Sequence, residues 1–173
     1  MLKPDLSQYV KDTHILSTAV ILIDTREQEN KHIIDYFDKH KIAYESRKLE
    51  YGDYSLRLPK NVEYGLPNDL VLDYAVERKG SLEELSGNFT NDRDRIENEL
   101  WRASGRMTMV VEDGSLDKIM AHEYKTQYNE KSFISTLVSF QHRYNLPIHF
   151  VSKNRVGAVI YALLHYKLRE EIK

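Results

Sequence analysis

Glu77 and Lys79 stand two residues apart at the close of an apolar segment. Residues 70–78 read as a strand. Because side chains alternate along a strand, one face through Lys79 would show Val71, Asp73, Ala75, Glu77 and Lys79. The other would show Leu72, Tyr74, Val76 and Arg78. A carboxylate and an ammonium facing the same way at a strand end can place a divalent cation and a water activator on either side of one phosphate. Asp53 follows Gly52 at the start of a neighbouring expected strand and supplies a second hard oxygen ligand of the kind magnesium takes. Gly52 permits a tight backbone turn there. Phosphodiester hydrolysis asks for this chemistry: neutralised phosphate oxygens, a bound water of lowered pKa and a stabilised leaving oxygen. An isolated Glu-x-Lys is as readily a solvated strand end. Weight comes from its setting, with a Gly-Asp strand before it and Asp24 closing a further buried strand.

The elements that must position these groups follow from hydrophobic period. Residues 19–23 are a short apolar run rich in β-branched side chains, suited to a strand buried on both faces. Residues 30–41 place Ile33, Ile34 and Phe37 at helical spacing. Strands are expected over 43–49 and 54–58, and the segment 59–69, with two prolines, a glycine and two asparagines, reads as a loop or long hairpin connection. Ser81 can cap a short helix through Leu85. A charged helix over 92–103 turns Ile96 and Leu100 inward, and 107–111 is another buried strand. A helix over 131–144 carries Phe133, Ile134, Leu137, Val138 and Tyr144, a strand follows over 147–151, and a helix over 155–170 presents Val156, Val159, Ile160, Leu163 and Leu164 to the core. This order requires an α/β fold around a mixed sheet flanked by helices.

Bulk properties narrow the function classes. A chain of 173 residues, 41% hydrophobic, suits one compact domain, expected over 18–173, with residues 1–17 as an arm that packs late or frays. A net charge of −2 is too small to hold a polyanion through overall charge, so any nucleic acid must be held locally. With no cysteine there is no disulfide framework, thiolate zinc site or thiol nucleophile, which fits a reducing compartment. No signal peptide or membrane-length apolar run is present, so a soluble location in the cytoplasm or at the nucleoid, with no membrane partner, is expected.

Taken in order, Asp24-Thr25-Arg26-Glu27, Gly52-Asp53-Tyr54 and Glu77-Arg78-Lys79 resemble the XPF family of structure-specific DNA endonucleases. That family's signature is G-D-x(n)-E-R-K-x3-D with an upstream D-x-R-E. The resemblance runs by motif from about Val20 to Glu112. It continues more loosely through Leu-Val-Ser-Phe-Gln-x-Arg-Tyr-x-Leu-Pro-Ile.

The resemblance implies a restriction-endonuclease-like fold, Mg2+ or Mn2+ as cofactor, and incision of duplex DNA near branches, flaps or junctions. It implies Asp53 and Glu77 as metal ligands, Lys79 as the residue that positions or activates the attacking water, and Asp24 as a further acidic member. Arg26, Glu27 and Arg78 would support the site by touching a phosphate or tying down a neighbour. It also implies a homodimer paired through closing helices.

Three departures qualify the match: Glu83 stands where the family has Asp, the gap between Asp53 and Glu77 is long and filled by the 59–69 loop, and no helix-hairpin-helix module is expected after residue 112. A duplex-cutting or nicking enzyme without branch preference, and an inactive DNA-binding scaffold of the same fold, are the alternatives. Arg93, Arg95 and Arg102 are candidate phosphate contacts, although interleaved acids offer them helical ion pairs. Trp101 reads as packing rather than base stacking. No two of the 7 histidines have the spacing of a helical zinc pair.

Overall fold

The computed structural model describes residues 13–172. In chain order the elements are α1 (Thr13–Ser17), β1 (Val20–Ile23), α2 (Lys31–Lys39), β2 (Tyr44–Ser46), β3 (Tyr54–Leu58), a 3-10 turn (Val62–Tyr64), β4 (Leu70–Val71), β5 (Ala75–Lys79), α3 (Leu82–Phe89) and α4 (Arg93–Ala103). There follow β6 (Met107–Glu112), α5 (Leu116–Met120), α6 (Glu130–Tyr144), β7 (Ile148–Val151), a second 3-10 turn (Lys153–Arg155) and α7 (Val156–Glu171). The chain divides into two compact units, one of residues up to 49, 53–75 and from 157 onward, the other of 50–52 and 76–156.

In the first unit β1 lies between β2, its parallel partner, and β3, its antiparallel one, and β3 pairs antiparallel with β4. Segment 59–69 is therefore a hairpin connection, pinned by the Asn61–Leu66 bridge. Ile21, Leu22, Leu56, Ile33, Phe37, Ile160 and Leu164 fill the core of this unit. Residues 1–12 of the expected arm lie outside the described residues, whereas Ile15 and Leu16 of α1 are buried. On β2, Glu45 receives both Nε and Nη2 of Arg57 from β3 at 2.9 and 2.7 Å, and Arg57 also reaches Asp69 at 3.1 Å. Burial keeps this clamp half shielded, and the guanidinium holds the Glu45 carboxyl below its usual range.

The expected strand over 70–78 is interrupted. Leu72 still donates its N–H to the Leu56 carbonyl at 2.8 Å, whereas residues 73 and 74 leave the ladder, with the Tyr74 carbonyl 2.8 Å from the Ser55 hydroxyl, and β5 begins afresh at Ala75. The strand expected over 43–49 shrinks to β2 because the Leu49 N–H goes to the Asp24 carboxylate.

In the second unit β6 lies between β5 and its parallel partner β7. Phe89, Phe133 and Phe140 meet at centroid distances of 5.8 and 4.8 Å beneath α3 and α6. The buried stripe of α6 is Phe133, Leu137, Phe140 and Tyr144; Val138, expected inward, is exposed. Ser81, Ser115 and Asn129 each accept a backbone N–H at the start of α3, α5 and α6, the expected use of such residues at helix entry. Among the described residues no helix is long and apolar enough to cross a membrane.

Candidate active site

The register of β1 on β3 pairs Ile23 with Tyr54, and the next pair along the ladder is Asp24 with Asp53. The Asp24 N–H donates to the Asp53 carbonyl at 2.8 Å, which brings two of the expected acids to adjoining strand ends. Asp24 is 1% exposed, and both of its oxygens are engaged. Oδ1 accepts the Arg26 N–H at 2.9 Å and its Nε at 2.6 Å, and Oδ2 accepts the Leu49 N–H at 2.7 Å. Burial pushes this carboxyl up, but the Arg26 side chain and the Leu49 and Arg26 amides outweigh it and hold the group below the usual aspartate value. Asp24 is thus ionised and committed to shaping the turn that carries Arg26 and Glu27. Arg26 is largely exposed, and the Glu27 N–H returns to the Asp24 carbonyl at 3.0 Å.

Every side chain of β5 is buried, including Glu77, Arg78 and Lys79. Lys79 Nζ donates to Glu77 Oε1 at 2.6 Å, so the two face the same way as strand alternation requires. Arg78, on the opposite face, donates through Nε to Glu112 of β6 at 2.6 Å. That pair is 8% and 1% exposed. A charge pair so far from water persists because each ion compensates the other, and removing either partner takes a compensating charge from a buried ion. Arg78 is therefore engaged with this acid on the face opposite Glu77.

Glu83 is not brought to the Glu77–Lys79 pair. Its carboxylate accepts the Lys125 N–H at 3.0 Å, and hydrogen bonds from its own N–H and that of Lys125, against some burial, hold it below the usual glutamate range. Glu84 stands closer, with Oε1 3.6 Å from Lys79 Nζ and Oε2 accepting the Gly80 N–H at 2.8 Å. The sequence does carry a signal for Glu84: Ser81-x-x-Glu84 is a capping box, which folds the third helical residue back over the helix entry.

Gly52 has φ 70°, a value at which any side chain would be strained, and its N–H donates to the buried carboxylate of Glu99 at 2.9 Å. Glu99 thereby fixes the turn that precedes Asp53. Glu99 and Glu112 are the site-supporting residues that sequence reasoning missed. Each contact joins residues far apart in the chain, although Glu112, as the polar end of a buried strand, is the kind of position at which Asp24 was found.

Arg93 pairs with Glu97 at 2.9 Å and Arg95 with Asp92 at 3.8 Å, the helical ion pairs that the interleaved acids offered. Arg102 is exposed. Trp101 does not pack in the core: it is 66% exposed.

Asp53 belongs to the first unit, Glu77 and Lys79 to the second. Among the described residues no three His, Cys, Asp or Glu side chains gather as a closed metal cage would need. The oxygen donors present nonetheless fit magnesium in kind, since that ion keeps several waters and takes only one or two carboxylates together with substrate phosphates.

The family model described as "ERCC4 domain" matches residues 23–163. Solved structures similar to this chain include XPF from Aeropyrum pernix, alone and in complex with DNA, each 17% identical with a TM-score of 0.61. Each alignment covers 87% of this chain, which spans 65% and 66% of those two chains. No curated protein matches. The structural likeness shows the fold to be the expected α/β class, a restriction-endonuclease-like mixed sheet flanked by helices.

Proposed function

The chain belongs to the ERCC4 domain family, and from that premise we propose that residues 18–173 act as a divalent-metal-dependent DNA endonuclease that cuts branched, flap or junction DNA. The observation that carries this reading is the buried Glu77–Lys79 pair, 2.6 Å apart at the end of β5 and inside the span that the family model matches. One of the two Aeropyrum pernix XPF structures holds DNA, which supports DNA as the substrate class.

In this reading Asp53 and Glu77 would each offer a carboxylate to Mg2+ or Mn2+, which would neutralise phosphate charge and acidify a water. Lys79, an ammonium with three donors held by Glu77, orients that water toward the phosphorus. Asp24 keeps the adjoining turn in place, and Arg26, the exposed guanidinium on it, meets a phosphate oxygen. Water oxygen bonds to phosphorus and releases a proton to solvent, the P–O bond to the leaving sugar breaks, and the leaving oxygen is protonated from solvent. The chain also pairs as a homodimer through α7. Val159 and Leu163, both expected in the core, are only half-buried, and Tyr166 on the same helix is 57% exposed.

The test is cleavage of labelled linear, flap, fork and junction DNA by the wild type and by Asp53→Ala, Glu77→Ala and Lys79→Ala, with and without Mg2+ or Mn2+. Cleavage should require the metal, favour the branched substrates and fall by about 10²–10⁴-fold in each variant. Activity that survives all three substitutions would remove the proposed site, and equal cutting of linear duplex would remove the branch preference.

A further inference from the structure

The second unit carries a surface pocket of about 240 Å3 lined by Leu100, Trp101, Ser104, Gly105, Arg143, Tyr144 and Asn145. It lies where the C-terminal ends of α4 and α6 come together. Ser104 and Asn145, the C-cap residues of those helices, both sit at φ 49°, and Gly105 at φ 76°. At this size it is smaller than the roughly 300–1,000 Å3 of a pocket for a drug-sized ligand, and suits one planar ring system. Trp101 stands at its wall, 66% exposed, with its ring held edge-to-face against Tyr144 at 5.7 Å and 87°. That contact fixes the orientation of the indole and leaves most of the residue in water. Isolated exposed aliphatic residues are ordinary on a protein surface; a tryptophan fixed in place beside a formed pocket is a different case.

The charges around the pocket divide by position. Two helix C-termini bring partial negative charge to its floor, which disfavours a phosphate there but supplies carbonyl acceptors. One cation lines the pocket: the half-exposed Arg143, over the Tyr144 ring at 5.8 Å and 3.5 Å from Glu97. A ligand that fits both zones is flat, carries hydrogen-bond donors on its edge and has an anion one linkage away. An unpaired nucleotide has this form: the base stacks on Trp101 with its edge toward the helix ends, and a flanking phosphate meets Arg143. A base inside a duplex has both faces covered and cannot do this.

We infer that this pocket binds an unpaired base of single-stranded DNA, with Trp101 as the stacking platform. The inference rests on the nuclease reading for the choice of polymer, and it gives that reading a means of holding the single strand that a branch exposes.

Trp101 is the only tryptophan in the chain, so fluorescence excited where tyrosine does not absorb reports this pocket alone. In metal-free buffer with chelator, where no cutting is expected, the wild type is titrated with an oligo(dT) of about 16 nucleotides, long enough for one single-strand site. A blunt duplex of equal length is titrated in parallel. Saturable quenching by the single strand and little by the duplex is expected. Anisotropy of the labelled oligonucleotide should show about a tenfold loss of affinity in Trp101→Ala, a smaller loss in Trp101→Phe and a loss of several-fold in Arg143→Gln. Circular dichroism confirms that the variants remain folded. Binding without quenching, equal quenching by duplex, no binding of the single strand, or Trp101→Ala binding as well as wild type would each overturn the inference. Cleavage is read in the separate substrate panel. Cutting without quenching sinks only this inference, and quenching without cutting sinks only the nuclease reading.

Discussion

At the scale of single residues, the acids divide into those that hold the backbone and those placed to meet a ligand. Asp24 is of the first kind, with three N–H donors on one buried carboxylate. Its lowered pKa fixes the sign of a pH effect. The ionised form contributes stability fully above the ordinary aspartate value of about 3.9, and that contribution is lost as pH falls through the lower folded value. Asp24→Asn keeps one acceptor but loses the charge. It should destabilise the protein by about 1–2 kcal/mol near neutral pH, and the gap from wild type should narrow by about pH 3. Urea unfolding at the two pH values measures this, and a gap of the same size at both would show that the charge of Asp24 contributes nothing. The local part of this arrangement was legible in the sequence. Strand alternation placed Glu77 with Lys79 and turned Arg78 away, because a period of two is a local property. The partners of Gly52 and Arg78 were not legible: Glu99 is 47 residues and Glu112 is 34 residues distant, and no spacing rule reaches that far.

At the scale of elements, period and capping residues located most helices and strands, and the exceptions have separate causes. Residues 70–78 have the composition of a continuous strand, and the chain leaves the ladder at residues 73 and 74, where the Tyr74 carbonyl accepts from Ser55 on another strand. The helix α5 escaped notice because five residues are too few to show a period. Helix packing gives a prediction of its own. Gly157 opens α7 against α2 so closely that an added Cβ would lie 2.8 Å from Tyr36 Cβ and 2.9 Å from its ring carbons Cγ and Cδ1. The nearest atom is bonded to the Tyr36 backbone, so rotation of the side chain cannot relieve the contact. Gly157→Ala should therefore destabilise by about 1–3 kcal/mol, even though alanine favours a helix interior by about 1 kcal/mol over glycine. Thermal unfolding decides it, and a variant at least as stable as wild type would show that the two helices can separate freely.

At the scale of the whole molecule, a net charge of −2 provides no overall attraction for DNA, which leaves binding to local cations and to stacking. The proposed homodimer belongs to this scale as well. Sedimentation equilibrium should give a mass that rises with concentration toward twice 20.4 kDa, and Leu163→Glu on α7 should return it to the monomer. A wild-type mass fixed at the monomer value would end that proposal. One part of the fold bears on a different property, the tendency of sheet proteins to add to one another. Among the described residues β2 pairs with β1 alone, is three residues long, and has its central Glu45 locked to Arg57. Fibrous growth starts from long, flat, uncharged strands that a second chain can extend. A strand this short, with a fixed ion pair at its centre, gives an incoming chain little to copy, so this end of the sheet should resist amyloid-like aggregation at the concentrations that crystallisation or storage demands.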